Sequence, residues 1–473
     1  MGLLPWASDC HLRDRGHGLA DHGAITMPIT FKGNAMGGAA APAVAAPTRS
    51  YKPYSRNASI FGDSRAFLCH SGSNSGSGTG NNFVKGYGIA HHIAAHSQGA
   101  VHFPWALQGG VAGDTTEQAL DRLPAHLEKL KAAGCNLMFI IIGTNDRTGG
   151  QIDLGTTKRN VMEIVQDTEA AGITPVLLND FPRGTGSSGY ELTDALAAEH
   201  YAYSRWVLNE MSKTCHVINT YDSWLDPASG TKYRPYANAV RDGIHPSKIG
   251  GQLAGRVAGP VAAQIASNVG DILQSNTLFN ADSNPMGSLT PNPLCLLTGG
   301  SLDASVNPAA GSQISQGWAA EGSNMTGLVT TWSKEVDANG MEWQKVRITG
   351  TAGATAPNFN AYVNVTLSNL SDNDKLKASG LIRYKGKGLS NVGLGMLITP
   401  TWTVKMDSDD PDTSLPWPSD SFGVISRETP ELIYLSSDSL TLIRPRVDIT
   451  LQPNVAVDAT IWFTKTGAFK IDY

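Results

Sequence analysis

Cysteine is scarce in this chain: five in 473 residues, at positions 10, 69, 135, 215 and 295, an odd and widely spaced set without a CxxC pair. A disulfide framework and a thiolate zinc site are therefore not expected. Cys135 and Cys215, each at the start of an apolar strand pattern, read as small apolar groups. Basic runs are missing, and the net charge of −5 gives no electrostatic case for nucleic acid. Long apolar runs are missing as well. The strongest, Leu137 to Ile142, is far too short to span a bilayer, so no transmembrane segment is expected. The first eighteen residues carry charge and no apolar stretch of useful length, so no ordinary secretory signal is read there. All twelve histidines precede Pro246, so the second half cannot supply a second Ser-His site.

What is present divides the chain. Its length of 473 residues exceeds one ordinary core, and the apolar fraction of 41% can fill more than one. Residues 1–54 read as a low-complexity tail, mostly Gly, Ala and Pro from Gly37 to Pro47. Residues 55–270 alternate strand and helix patterns. Strands are expected at Ala58 to Phe61, Ala100 to Trp105, Leu137 to Ile142, Thr174 to Leu178 and Cys215 to Asn219. Helices are expected at Lys85 to Ser97, Thr115 to Ala133 (Asp114 as cap), Lys158 to Ala171, Glu191 to Lys213 and Lys248 to Ala266. Such alternation predicts a parallel sheet between helical layers. Residues 271–300, rich in Asn, Pro, Ser and Gly, read as a linker. From 301 to 473 the period falls to two, with a hairpin turn at Asp337-Ala338-Asn339-Gly340, which predicts a β-sandwich of jelly-roll type.

Four short segments carry chemistry. Gly62-Asp63-Ser64 follows a strand, where a serine on a tight turn exposes its hydroxyl beside unpaired backbone N–H groups. Asp242 and His245 stand three apart before Pro246, a spacing that lets the carboxylate reach the imidazole Nδ1 and leaves Nε2 to face a serine. Asn145, in Gly143-Thr144-Asn145-Asp146 at the end of the most apolar strand, suits an oxyanion donor, and Gly113 offers an unobstructed backbone N–H. Each feature also has a plainer reading: turn and cap for Asp63-Ser64, a capping aspartate beside an exposed histidine, and turn or loop residues for Asn145 and Gly113. The four together, in this order, favour acyl transfer.

These segments resemble the blocks of the SGNH, or GDSL-type, hydrolases over roughly residues 55–268. The resemblance implies a flavodoxin-like three-layer α/β/α domain, a Ser64, His245, Asp242 triad, and an oxyanion hole from the Ser64 and Gly113 N–H groups with the Asn145 amide. It implies a serine esterase without cofactor or metal, acting on an ester substrate, an acetylated glycan or another short-chain ester foremost. Arg65 stands where the family name has Leu, and the second block lacks an asparagine that some members carry. No GxSxG elbow of the ordinary α/β-hydrolases occurs.

Other features are weaker. His92 and His96 are four apart beside His91, spaced for a metal pair, but no carboxylate shares their helix and a solvated face is expected. Arg147, next to Asn145, is a candidate substrate contact. Six of the ten tryptophans lie in the β half, which resembles a carbohydrate-binding module. Most should fill its core. Trp402 and Trp417 flank an Asp- and Pro-rich loop and are the candidates for exposed sugar contacts. Asp407, Asp409, Asp410 and Asp412 are read as an acidic solvated loop rather than a calcium site, and Ser71 to Asn82 as a disordered insertion. Two alternatives stand beside the esterase: a lipase or thioesterase of longer acyl chains, and a phage-tail or cell-surface glycan-binding protein with an accessory esterase. An extracellular, virion-associated or cell-surface address is expected rather than a cytoplasmic one.

Overall fold

The computed structural model describes residues 57–72, 82–148, 152–183, 192–266, 276, 278–280, 283–284, 287–409 and 413–471. The tail and most of the Ser71 to Asn82 stretch lie outside these residues. Five parallel strands, Ser59–Gly62, Gly109–Gly110, Leu137–Ile141, Thr174–Leu178 and His216–Ile218, form one sheet in the order second, first, third, fourth, fifth. That order is flavodoxin-like, with its reversal beside the first strand. The Leu137–Ile141 strand is buried on both faces, as a continuous apolar run requires. Phe139 and Ile141 join a core that includes Ile89, Ile93 and Ala254 from one helical layer. Met138 and Ile140 join another with Leu123, Leu127 and Val161.

Local chemistry moved several element ends. Thr115, not Asp114, caps helix Thr116–Ala132, and the Gln118 side chain completes a capping box. The strand expected at Ala100 to Trp105 reduces to a single bridge between Asn57 and His102. Pro104 brings no N–H to a ladder, and a 3-10 turn, Trp105–Leu107, follows it. Helix Ile89–His96 starts later than expected, because Asn82–Lys85 is a strand.

The second half is a sandwich of two mainly antiparallel sheets. One contains Leu328–Val336, Glu342–Thr351, Ala456–Lys470, Lys375–Lys387 and Ile425–Glu428 in that order, with Leu432–Ile433 paired to Lys375–Lys387. The other runs from Thr403–Asp409 through Leu389–Thr399, Leu442–Leu451, Asn358–Tyr362 and Ala319–Ser323 to Ser301–Leu302. Two strands of the α/β half, His70–Gly72 and Asn82–Lys85, extend this second sheet, the latter parallel to Thr403–Asp409. The intended linker is partly packed. Leu289 and Cys295 are buried, and the Leu289 N–H donates to the Ala468 carbonyl at 2.8 Å.

The two halves meet over a buried polar seam. Helix Lys248–Ala266 passes close to helix Ile89–His96 at Gly251, Gly255 and Gly259, each of which faces His92 or His96. His91 and His92 are buried rather than solvated, edge-on to one another at 4.7 Å and beside Trp417. Burial holds both rings well below the ordinary imidazole range, with the nearby Arg427 charge adding to the effect. Lys248 reaches across to the Ser390 carbonyl at 2.9 Å, and Gln252 to the Asp420 carbonyl at 2.7 Å. Among the described residues, no helix is long and apolar enough to cross a membrane.

Candidate active site

The first strand ends at Gly62, whose φ of +145° and contact with the third strand leave no room for a side chain. A Cβ there would stand 1.7 Å from the Ile141 carbonyl oxygen. The chain then turns into the four-residue helix Ser64–Phe67, capped by Asp63, whose Oδ1 accepts the Arg65 N–H at 2.8 Å. Ser64 is thereby held at the carboxyl edge of the sheet. Opposite it, Asp242 folds its own loop, accepting the Ile244 and His245 N–H groups on Oδ1 at 3.2 and 2.8 Å. Its other oxygen lies 2.7 Å from His245 Nδ1, and His245 Nε2 lies 3.0 Å from Ser64 Oγ. Partial burial alone would raise the Asp242 pKa. The hydrogen bonds from His245 and the attraction of its ring reverse this and bring it to about 2.

The oxyanion candidates converge on one residue. Gly113, at φ +88° and open to space, precedes Asp114, whose carbonyl accepts the Asn145 Nδ2–H at 2.9 Å. An amide nitrogen carries two hydrogens, so one is used in this bond. The Gly113 loop is itself tied to the serine turn, since the Val111 N–H donates to the Gly62 carbonyl at 2.9 Å. Asp146, fully buried, anchors the Asn145 turn: it accepts the Thr116 N–H at 2.8 Å and the Thr116 and Thr157 hydroxyls at 2.7 Å each.

The structure thus brings Ser64, Asp242 and His245 together and joins Gly113 to Asn145 through Asp114. It separates the weaker candidates. Arg147 is buried and turned inward, donating to the Ile152 carbonyl and Thr157 Oγ1, both at 2.8 Å. Its guanidinium is tied to the segment behind the site, with Glu199 3.6 Å away. Trp417 is 3% exposed, because the seam covers it, whereas Trp402 is 73% exposed at a hairpin tip of the sandwich. Asp407 is likewise no solvated loop residue; it is buried on a strand and paired with Arg427 at 3.2 Å. Asp410 and Asp412 lie outside the described residues. Among the described residues, no group of three His, Cys, Asp or Glu side chains is arranged to hold a metal.

Sequence reasoning noted Arg65 only as a departure from the family name and gave it no role. It is fully buried, pairs with Asp180, and donates Nε–H to the Ile244 carbonyl at 3.1 Å, one residue before His245. Its guanidinium lies 5.7 Å from the Phe181 ring centre and 6.0 Å from that of Trp224. At the position after the serine, then, a charge ties the serine turn to the histidine loop. Burial, and next the Asp180 charge, push the neighbouring Asp63 up to about 7, against the pull of Arg65. No local pattern signals such a contact across 179 positions of chain.

Residues 60–253 match the model of the GDSL-like Lipase/Acylhydrolase family. Solved structures similar in this region include a GDSL-like lipase from Bacteroides thetaiotaomicron, 16% identical over 44% of this chain and 89% of its own, with a TM-score of 0.33. A catalytic mutant of an acetylxylan esterase from Geobacillus stearothermophilus is 16% identical over 45% and 95%, at 0.33. A carbohydrate esterase of family 3 from Talaromyces cellulolyticus is 14% identical over 45% and 98%, at 0.31. No protein of curated function matches the sequence.

Proposed function

We propose that this chain, whose residues 60–253 match the GDSL-like Lipase/Acylhydrolase family model, is a carboxylic ester hydrolase that works by two-step acyl transfer and removes short acyl groups, acetyl foremost, from a glycan. Ser64 Oγ attacks the ester carbonyl while His245 Nε2 takes its proton. Asp242 holds the ring in the tautomer that leaves Nε2 ready to accept, and stabilises the imidazolium that forms. The Ser64 and Gly113 N–H groups and the Asn145 amide receive the oxyanion. His245 then protonates the leaving alcohol, and water repeats the sequence to free the acid. The observation that carries this reading is the continuous chain from Asp242 Oδ2 to Nδ1 at 2.7 Å and from Nε2 to Ser64 Oγ at 3.0 Å.

The glycan part rests on the appended sandwich and on Trp402, whose exposed ring offers a flat apolar face to a sugar. A second reading, esters of longer acyl chains, draws on Phe67 and Val111. Each is 42% exposed, one three residues beyond Ser64 and the other two before Gly113.

Acetate release from acetylated polysaccharides, measured beside hydrolysis of short- and long-chain nitrophenyl esters, tests both. Acetate release that is lost in Ser64→Ala and lowered in Trp402→Ala, with short nitrophenyl esters unaffected by the tryptophan change, is the expected result. Preference for long chains moves the assignment to the second reading. Turnover that survives Ser64→Ala overturns the mechanism.

A further inference from the structure

We propose that Arg122 is a positioning residue that assembles the oxyanion hole. It sits on helix Thr116–Ala132, away from the triad in sequence, yet its guanidinium bonds to the segments of Ser64 and Gly113 and reaches Asn145 through Asp114. Nη2 donates to the Gly62 carbonyl at 2.6 Å, two residues before Ser64. Nη1 donates to the Gly109 carbonyl at 2.6 Å, at the start of the strand that delivers Gly113. Nε donates to Asp114 Oδ2 at 2.5 Å, and the carbonyl of that same Asp114 receives the Asn145 side chain. The guanidinium carbon lies 4.3 Å from the Phe61 ring centre, so the fork is held in its plane from below.

The chemistry of the side chain suits this task. A guanidinium presents N–H groups in a rigid fork, so three acceptors at fixed angles define one arrangement of the segments that bear them. An ammonium can neutralise Asp114 but has no such fork. Donors aimed at a developing oxyanion act only if they stand in place beforehand, and Arg122 is the one side chain described here that bonds to both the Ser64 and the Gly113 segments. The ion pair with Asp114 matters chiefly because Asp114 also carries Asn145. Removing the arginine frees Asp114 to shift, and with it the N–H of Gly113 and the amide of Asn145.

The inference rests on the assignment of Ser64, Gly113 and Asn145 given above, so Ser64→Ala and Asn145→Ala are assayed alongside. Arg122→Ala is expected to lower kcat on a small nitrophenyl ester by about 10- to 100-fold, the scale of a misplacement near 1 Å, with KM changed by less than about threefold. Arg122→Lys should fall between it and wild type. In an Asn145→Ala background, Arg122→Ala should cost clearly less than in wild type, because the donor it positions is already gone. A merely structural arginine predicts the opposite: a lower melting temperature, kcat within about twofold for folded protein, and effects that add with Asn145→Ala. That result overturns the proposal. Should Arg122→Ala fail to fold, Arg122→Lys and Asp114→Asn, which keep the shapes of the site, are read by the same criteria. If Ser64→Ala retains turnover, or Asn145→Ala is silent, the underlying assignment fails rather than the role of Arg122 alone.

Discussion

The α/β half and the sandwich both bury charge, but they place it differently. In the α/β half, Asp63, Arg65, Asp146, Arg147 and Asp180 are buried at the carboxyl edge of the sheet, around the serine, asparagine and histidine loops. In the sandwich, Arg427 and Asp407 are buried on strands of the two opposing sheets, paired with one another, with Arg427 also bonded to His91 of helix Ile89–His96. Burying an ion pair brings a desolvation penalty that its attraction seldom exceeds by much, so neither set adds much net stability over apolar residues of the same size. In one half the charges fix the segments that carry Ser64, Asn145 and His245. In the other they fix the surface on which the first half rests.

If that difference is real, substitutions on the two sides should appear in different measurements. The largest effect is expected at the catalytic edge. Asn145→Ala should lower kcat on the order of 10²–10³-fold with the melting temperature unchanged, because an oxyanion donor acts in the transition state and not in the fold. A loss of stability with little loss of kcat would make Asn145 an ordinary turn residue. Next comes the seam. Arg427→Met strands the buried Asp407 and should destabilise the protein by about 3–5 kcal/mol in denaturant melts, while folded protein keeps its turnover of small esters. Equal loss of both would mean that the seam also shapes the site.

The smallest effect is one of pH. Asp63 has a pKa raised from 3.8 to about 7, so between these values the folded protein keeps a proton that the unfolded chain has released. Its contribution to stability is complete below the lower value and is lost as pH rises to the upper one. Asp63→Asn, which can still cap the Arg65 N–H, should flatten the fall in melting temperature across that window. An unchanged slope would mean that Asp63 is ionised in the folded protein, as a surface aspartate would be.

Much of the site was legible in short segments, for a physical reason. Asp242 and His245 lie three apart, and one turn suffices to bring a carboxylate to an imidazole. Ser64, Gly113 and Asn145 each follow a strand, and parallel strands of one sheet end at one edge. The tryptophans were harder, because a large ring at a loop is exposed or buried according to what packs over it. Trp402 stands free at a hairpin tip, while the same type at Trp417 disappears under helix Ile89–His96. The histidines of that helix read as a polar face for want of any sign that a second domain would cover them.

The amino-acid sequence by itself therefore determined the alternation that makes a parallel sheet, the period-two half that makes a sandwich, and the local turns that present Ser64, Asn145 and the Asp242–His245 pair. Those depend on interactions within a few residues, or on the burial of one face of one element. Only the tertiary structure decided which arginines matter. Arg65, Arg122, Arg147 and Arg427 are alike as letters, and their acceptors lie on segments that the fold alone brings near. A long, flexible side chain carries no local record of where its charge will be satisfied, because that is set by whichever carbonyls and carboxylates the packed strands and helices leave facing it.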